Sequence, residues 1–383
     1  MQITDDWISN PATQAVCSAL SRDGAQVLFV GGCVRNALLG VAVSDIDIAT
    51  DSTPQQVSTL AKAAGIKVVP TGIDHGTVTL VLDGLAHEVT TFRRDVSTDG
   101  RRAVVSYSED VKEDAIRRDF TMNALYARAD GTVIDPLNGL SDLRARRVRF
   151  IGDAEDRIRE DYLRSLRYFR FHAWYGDETA GFDPDALAAI ASNLDGLSQL
   201  SHERIGTEFL KLLSAPDPAP SLAAMRSTGA LGQVLPGSDD RVLAPLVHLE
   251  NEAAVGVEPI RRLAVLGGVD VVQTLRLSRA QGHQLNRLRD AAAGTSGAAE
   301  LGYRLSPELA RDALLLRCAL MEQPWNAGFQ GDIAKGANAT FPIVANDLMP
   351  GFQGAALGAE LARLEAEWIA SDFSLGRADL LKR

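Results

Sequence analysis

A chain of 383 residues, 46% hydrophobic and 23% charged, has the makeup of a water-soluble protein with two or more domains and room for a sizeable core. Its formal net charge of −11 excludes a generally basic surface, so any hold on nucleic acid has to come from local arginine clusters. Three scattered cysteines, Cys17, Cys33 and Cys318, exclude a disulfide framework or a cysteine zinc site. The acidic start MQITDDWISN, followed by no long apolar run, predicts a cytoplasmic protein without secretory signal or membrane span, and nothing implies an obligate protein partner.

A helix is predicted over 11–21, then a buried strand over 27–30 that stops at Gly31-Gly32, where missing side chains let backbone approach a ligand. A short helix over 33–39 follows, with Arg35 near the turn; phosphate is the guest such a turn and cation suit. In the strand over 45–49 the period of two puts Asp45 and Asp47 on one face and Ile46 and Ile48 on the other. Two carboxylates so spaced can share Mg²⁺ with phosphate oxygens, the arrangement of two-metal phosphoryl transfer, although such a pair is also common on a solvated strand edge. A helix over 54–64 and strands over 66–70, 76–82 and 85–93 come next, with the Asp83-Gly84 turn between the last two. Glu88, on the last strand, offers a third carboxylate or simply a polar residue on a wet face. Residues 95–110 read as a charged mobile loop close to the site.

Arginines then gather: Arg93, Arg94, Arg101, Arg102, Arg117, Arg118, Arg144, Arg146, Arg147, Arg149, Arg157, Arg159, Arg164, Arg167 and Arg170. They read either as a basic cleft on an acidic body or as solvated helix faces. Beyond Val148 strand signals fade, and helices are predicted over 156–174, 203–213, 259–266, 280–292, 307–321 and 354–371. The fold class is α+β: a small mixed sheet with helices, then an all-helical remainder.

On a continuous helix over 156–174, Asp161 and Arg164 share a face at i,i+3. A carboxylate and a guanidinium side by side match the donor-beside-acceptor edges of cytosine and adenine and reject uracil and guanine. A surface salt bridge is the plainer alternative. In Arg117-Arg118-Asp119-Phe120-Thr121-Met122-Asn123, the arginines can hold a triphosphate or orient that pair. Asp119 with Asn123 can contact a ribose or lock a helix, or Asp119 can cap a helix over 120–126.

The segments GGCVRNALLG, DIDIAT, HEVTTFR, RRDFTMNAL and REDYLRSLRYFRF, in this order, resemble the bacterial class II tRNA nucleotidyltransferases, the CCA-adding enzymes, and their relatives the bacterial poly(A) polymerases. SHERIGTEFLKLL and the C-terminal FPIVANDLMPGFQGAALGAELARLEAEWIASDF resemble later segments of that family more loosely.

The resemblance implies a polymerase-beta-like nucleotidyltransferase head over 1–143, a helical neck over 144–214 with the nucleotide-selecting motif Glu160-Asp161-Tyr162-Leu163-Arg164, and a helical body and tail over 215–383 that binds tRNA. It further implies addition of C, C and A to the tRNA 3′ end from CTP and ATP with Mg²⁺. Asp45, Asp47 and Glu88 would be catalytic, and the first two would hold metal. Gly31, Gly32, Arg35, Arg118, Asp119, Asn123, Asp161, Arg164, Arg167 and Arg170 would bind the nucleotide.

Poly(A) synthesis, or addition of CC or A alone, is the alternative within the family. A dinucleotide-binding oxidoreductase is disfavoured because Cys33 stands where GxGxxG needs glycine, and a noncatalytic RNA-binding scaffold is disfavoured by the intact carboxylates. One departure stands out: Asn36 occupies the place of the aspartate in the usual GGxVRD, which keeps a hydrogen-bond acceptor beside Arg35 but removes a charge.

Overall fold

The computed structural model describes residues 1–73, 76–99, 102–177 and 179–382. They form two compact units, Met1–Val234 and Leu235–Arg383.

The first unit opens with α1 (Asp6–Ser9) and α2 (Pro11–Leu20), whose start is fixed by the Asn10 side chain accepting from the Ala12 N–H and by Pro11 in the first turn. β1 (Val27–Val30), α3 (Gly32–Leu38), β2 (Ile46–Thr50) and α4 (Pro54–Ala63) follow, the last begun by a Thr53/Gln56 capping box. Next come β3 (Lys67–Gly72), β4 (Thr77–Leu82) and β5 (Leu85–Thr91).

Residues 93–107 form a hairpin of β6 (Arg93–Asp99) and β7 (Arg102–Tyr107) where the sequence suggested a loop; its tip, Gly100 and Arg101, lies outside the described residues. The charges and small polar residues of this stretch hid the β-formers Val96, Thr98, Val104 and Val105 interleaved among them. α5 (Val111–Ile116), β8 (Tyr126–Arg128), β9 (Val133–Ile134) and α6 (Gly139–Arg144) complete the head.

Seven strands make one sheet in the order β3-β4-β5-β2-β1-β8-β9. Every neighbouring pair is antiparallel except β2 and β5, which run parallel, with α4, β3 and β4 as the crossover. In that register Asp47 pairs with Glu88. Ile46 and Ile48 are buried while Asp47 is half-exposed, as the period of two requires. On one face Leu28, Val30, Ala49, Phe92, Ala124 and Tyr126 form a core cluster.

The helix expected over 120–126 is absent. Phe120 is extended and bridges Phe150, a single 3-10 turn spans Thr121–Asn123, and the chain enters β8. Pairing of β8 with β1 and β9 overrides the local helical signal.

The helix expected over 156–174 is two: α7 (Ala154–Glu160) and α8 (Leu163–Tyr175). Between them Asp161 is extended, and its Oδ1 accepts from the Leu163 N–H at 3.1 Å. An aspartate that bonds the backbone two residues on competes with the helical ladder, which explains the break. Phe120 packs on Phe171 (centroids 4.8 Å apart) and Phe150 stacks on Tyr168 (5.6 Å), fastening α8 to the head. α9 (Pro184–Ser192) and α10 (His202–Leu213) follow, with shorter helices to Val234.

The second unit is helical, with Pro259–Leu266, Arg279–Ala293, Pro307–Leu320 and Gly354–Ala370 close to the expected ranges. Arg261 and Arg262 are buried and bonded to Glu250, and Arg261 also to Asp312. Among the described residues no helix is long and apolar enough to cross a membrane.

One buried carboxylate ties the head together. Asp114, in the first turn of α5, accepts from Arg117, from Arg118 and from the Tyr126 hydroxyl at 2.7 Å. Burial pushes its carboxyl up, but Arg118, Arg117 and Tyr126 outweigh this and hold it at about 2, below the ordinary 3.8. Asp114→Asn leaves those donors facing an amide and is expected to lower the unfolding free energy by about 3 kcal/mol at pH 7, read by urea unfolding. The unfolded chain takes up this proton first, so the carboxyl's stabilisation is complete above pH about 4 and is lost toward pH 2. The variant is therefore expected to lose less stability across that window.

Candidate active site

Gly31 leaves β1 at φ 68° and ψ −116°, a conformation that glycine alone adopts easily, and its N–H bonds the Leu125 carbonyl at 3.1 Å. A Cβ there would lie 3.6 Å from both Arg118 Nη1 and Asn123 Oδ1. One at Gly32 would lie 3.9 Å from Arg35 Nη2 and 4.0 Å from Asp47 Oδ2. The glycine turn is therefore rimmed by two guanidiniums, an amide and a carboxylate. No apolar packing closes it at these points.

Arg35, on α3, is buried. Its Nη1 donates to Asn123 Oδ1 (2.7 Å) and its Nη2 to Asn36 Oδ1 (2.9 Å) and to the Tyr175 hydroxyl (2.8 Å). Asn36 is held in turn through its Nδ2 on the Ala42 carbonyl. Burial lowers the proton affinity of Arg35.

Parallel pairing puts the Asp47 and Glu88 side chains on the same face of adjacent strands, which run about 4.8 Å apart. Burial, then Glu88, pushes the Asp47 carboxyl up to about 6, with Asp45 adding to the rise and Arg118 and Arg35 opposing it. Asp45, exposed at the strand's entry, accepts from Ser44 Oγ at 2.9 Å.

An aspartate whose proton affinity is raised by burial and then by a neighbouring carboxylate suits a divalent cation, which Asp47 would hold with Asp45. Among the described residues, however, no three acidic, histidine or cysteine side chains are grouped to hold a metal ion by themselves. A cation bound here would complete its shell with phosphate oxygens and water, as Mg²⁺ commonly does. His87, beside Glu88 but on the opposite face, is buried against Thr13 and faces away from this set.

The second group of expected residues lies where α7, α8 and α10 meet the 117–123 segment. Asp119 accepts from the Phe120 N–H, from Asn123 Nδ2 at 3.0 Å and from Arg167 Nε at 2.7 Å. It organises the turn and ties it to α8. Arg170 donates to Glu208 at 2.6 Å.

Asp161 and Arg164 do not share a helix face, because the break falls between them. Asp161 Oδ2 accepts from Arg204 at 2.8 Å, while Arg164 donates to Glu160 (2.6 Å) and to the carbonyls of Arg157 and Arg117. Tyr162, between them, lies flat on Gly196, where a Cβ would fall 2.0 Å from its ring.

Sequence reasoning missed four residues of this layer: Arg157, which bonds the carbonyls of Arg117 and Arg118, Arg204, Glu208 and Tyr175. SHERIGTEFLKLL carries two of them. Tyr175 falls on the Arg164, Arg167, Phe171 stripe of α8, so its helix face was readable although its partner was not.

Residues 27–149 match the family described as the Poly A polymerase head domain, and residues 181–241 the one described as the probable RNA and SrmB-binding site of polymerase A. Over these two segments the chain is similar to the tRNA nucleotidyltransferase/poly(A) polymerase family. Within it, human mitochondrial CCA tRNA nucleotidyltransferase 1 is 45% identical over 193 residues, 50% of this chain and 44% of that protein. The CCA-adding enzyme of Geobacillus thermodenitrificans is 40% identical over 220 residues, 57% of this chain and 52% of that protein. The chain thus spans about half the length of these curated nucleotidyltransferases. A crystal structure of the Bacillus stearothermophilus CCA-adding enzyme with CTP superposes with a TM-score of 0.72 at 27% identity, covering 94% of this chain and 93% of that one.

Gly31→Ala is expected to cost about 1–3 kcal/mol of stability from its backbone conformation. Its methyl group would also crowd Arg118 and Asn123 and weaken CTP binding. Urea unfolding and calorimetric titration with CTP read the two effects.

Proposed function

We propose that this chain adds C, C and A, without a template, to the 3′ end of tRNA, using CTP and ATP and releasing pyrophosphate. The observation that carries the reading is the meeting of Asp47, Glu88, Arg35 and Arg118 around the Gly31-Gly32 turn. Cations for a triphosphate and carboxylates for a metal stand there beside a backbone that allows close approach.

The RNA 3′-hydroxyl oxygen attacks the α-phosphorus, the bond to the bridging oxygen breaks, and pyrophosphate leaves. Arg35 and Arg118 bind the charge that builds on the departing phosphates. Glu88 places the attacking hydroxyl and helps lower its pKa. Asp45 and Asp47 would hold Mg²⁺, which when bound supplies charge stabilisation and acidifies the hydroxyl.

Base choice falls to Asp161 and Arg164. The carboxylate accepts from the exocyclic amine of cytosine or adenine, and the guanidinium, with N–H donors left after its bonds to Glu160 and two carbonyls, donates to the neighbouring ring nitrogen. Arg204, now on Asp161, has to share or yield it. Asp119, Asn123, Arg167 and Arg170 hold that apparatus in register with the head. In this division of labour residues 1–143 catalyse, 144–214 select, and 215–383 hold tRNA by shape and backbone.

Purified protein, tRNA lacking its terminal trinucleotide, Mg²⁺ and labelled CTP or ATP test the reading through the product ladder. Three added residues with both nucleotides, two with CTP alone and no long A tail are expected. A long tail with ATP alone would favour poly(A) synthesis, the activity after which the matched head domain is described, and no incorporation would reject both. Asp47→Ala is expected to abolish transfer while the thermal transition persists. Asp161→Ala is expected to lower preference for C and A over U and G by roughly tenfold, from a lost pairing of about 1–3 kcal/mol.

A further inference from the structure

The arginines around the site differ in one respect. Arg118 is paired with Asp114, Arg157 and Arg164 with Glu160, Arg167 with Asp119, and Arg170 with Glu208. Arg35 is as buried as any of them, yet no carboxylate of the described residues forms an ion pair with it. Its three hydrogen-bond partners, Asn36, Asn123 and Tyr175, are all uncharged. Its Nε is buried without a partner, and its Cζ sits 4.0 Å from the Tyr175 ring centroid and 5.1 Å from that of Phe171. Aromatic faces and amides steady a guanidinium without neutralising it.

A buried cation without a direct ion pair, felt by Asp119 and Asp47 only through space, is costly and is expected to persist where an anion completes it. The Gly32 backbone lies beside both Arg35 Nη2 and Asp47 Oδ2, so that anion would meet the carboxylate set as well.

We propose that Asn36, Asn123 and Tyr175 form an uncharged cradle that keeps the full charge of Arg35 open for the polyphosphate. On this view the amide at position 36 sets nucleotide affinity, and Tyr175 is a positioning residue that joins the helix carrying Arg164 and Arg167 to the phosphate grip. The inference rests on the nucleotide-transfer reading for its substrate, but its charge argument can be measured on pyrophosphate alone.

Asn36→Asp is nearly isosteric and would set a carboxylate at Arg35 Nη2, now 2.9 Å from the amide oxygen. Magnesium pyrophosphate binding by calorimetry, without RNA, is expected to weaken roughly tenfold. KM for CTP and for ATP is expected to rise by the same factor with kcat within about twofold, because the triphosphate is common to both nucleotides. Asn36→Ala, which removes the acceptor but adds no charge, is expected to change pyrophosphate binding less than about threefold. Tyr175→Phe keeps the ring, loses the hydroxyl, and is expected to raise KM for both nucleotides by a smaller factor than Asn36→Asp.

Unchanged pyrophosphate binding in Asn36→Asp, or equal weakening in the Asp and Ala variants, would overturn the cradle. Absence of C or A incorporation by the unaltered protein would instead reject the transfer reading, while the pyrophosphate comparison would still decide the cradle.

Discussion

Asp47 on β2 and Glu88 on β5 stand side by side because the two strands are paired in parallel, and the rest of the site answers the repulsion this creates. A central parallel pair within an otherwise antiparallel sheet requires the α4, β3, β4 crossover, and its register sets the two carboxylates together. With its folded proton affinity raised to about 6, Asp47 costs stability at neutral pH, where it has to be charged in a partly buried place. Arg118 and Arg35, at the glycine turn, offset part of that cost. A divalent cation would offset more.

Arginine density had suggested a basic cleft on an acidic chain, and the structure gives that density another use. Around the site the guanidiniums of Arg117, Arg118, Arg157, Arg164, Arg167 and Arg170 are spent on internal carboxylates and carbonyls. Arg118 anchors α5 to β8 through Asp114, Arg167 anchors α8 to Asp119, and Arg157 draws the carbonyls of Arg117 and Arg118 toward α7. These pairs fix backbone positions and leave little open positive charge. Arg35 differs because its fixing groups are neutral, which separates holding a cation in place from cancelling its charge.

Legibility in the sequence followed the range of the interactions. β1, the glycine turn, α3 and β2 were readable because period-two burial and a glycine stop are local patterns, and Ile46, Asp47 and Ile48 alternate as expected. The position of Glu88 beside Asp47 was readable only as a neighbouring strand; the parallel register needed the sheet.

Asp161 was misread because the apolar spacing of Ile158, Tyr162, Leu166 and Phe169 continues the helical pattern across the break, while the deciding event is one carboxylate turning to its own backbone. The β6–β7 hairpin hid behind its charges, and β8 behind a helical signal that pairing with β1 overrides. Contacts between distant segments, such as Tyr175 with Arg35 and Arg204 with Asp161, left no local trace.

We infer that the face bearing Asp45 and Asp47 holds a divalent cation against a triphosphate gripped by Arg35. A crystal structure with CTP and Mn²⁺, read by anomalous scattering, tests it most directly. A manganese peak bridging those two carboxylates and the nucleotide's phosphate oxygens is expected, with the triphosphate against Gly31, Gly32 and Arg35. Manganese bound elsewhere, or CTP seated away from the glycine turn, would contradict it.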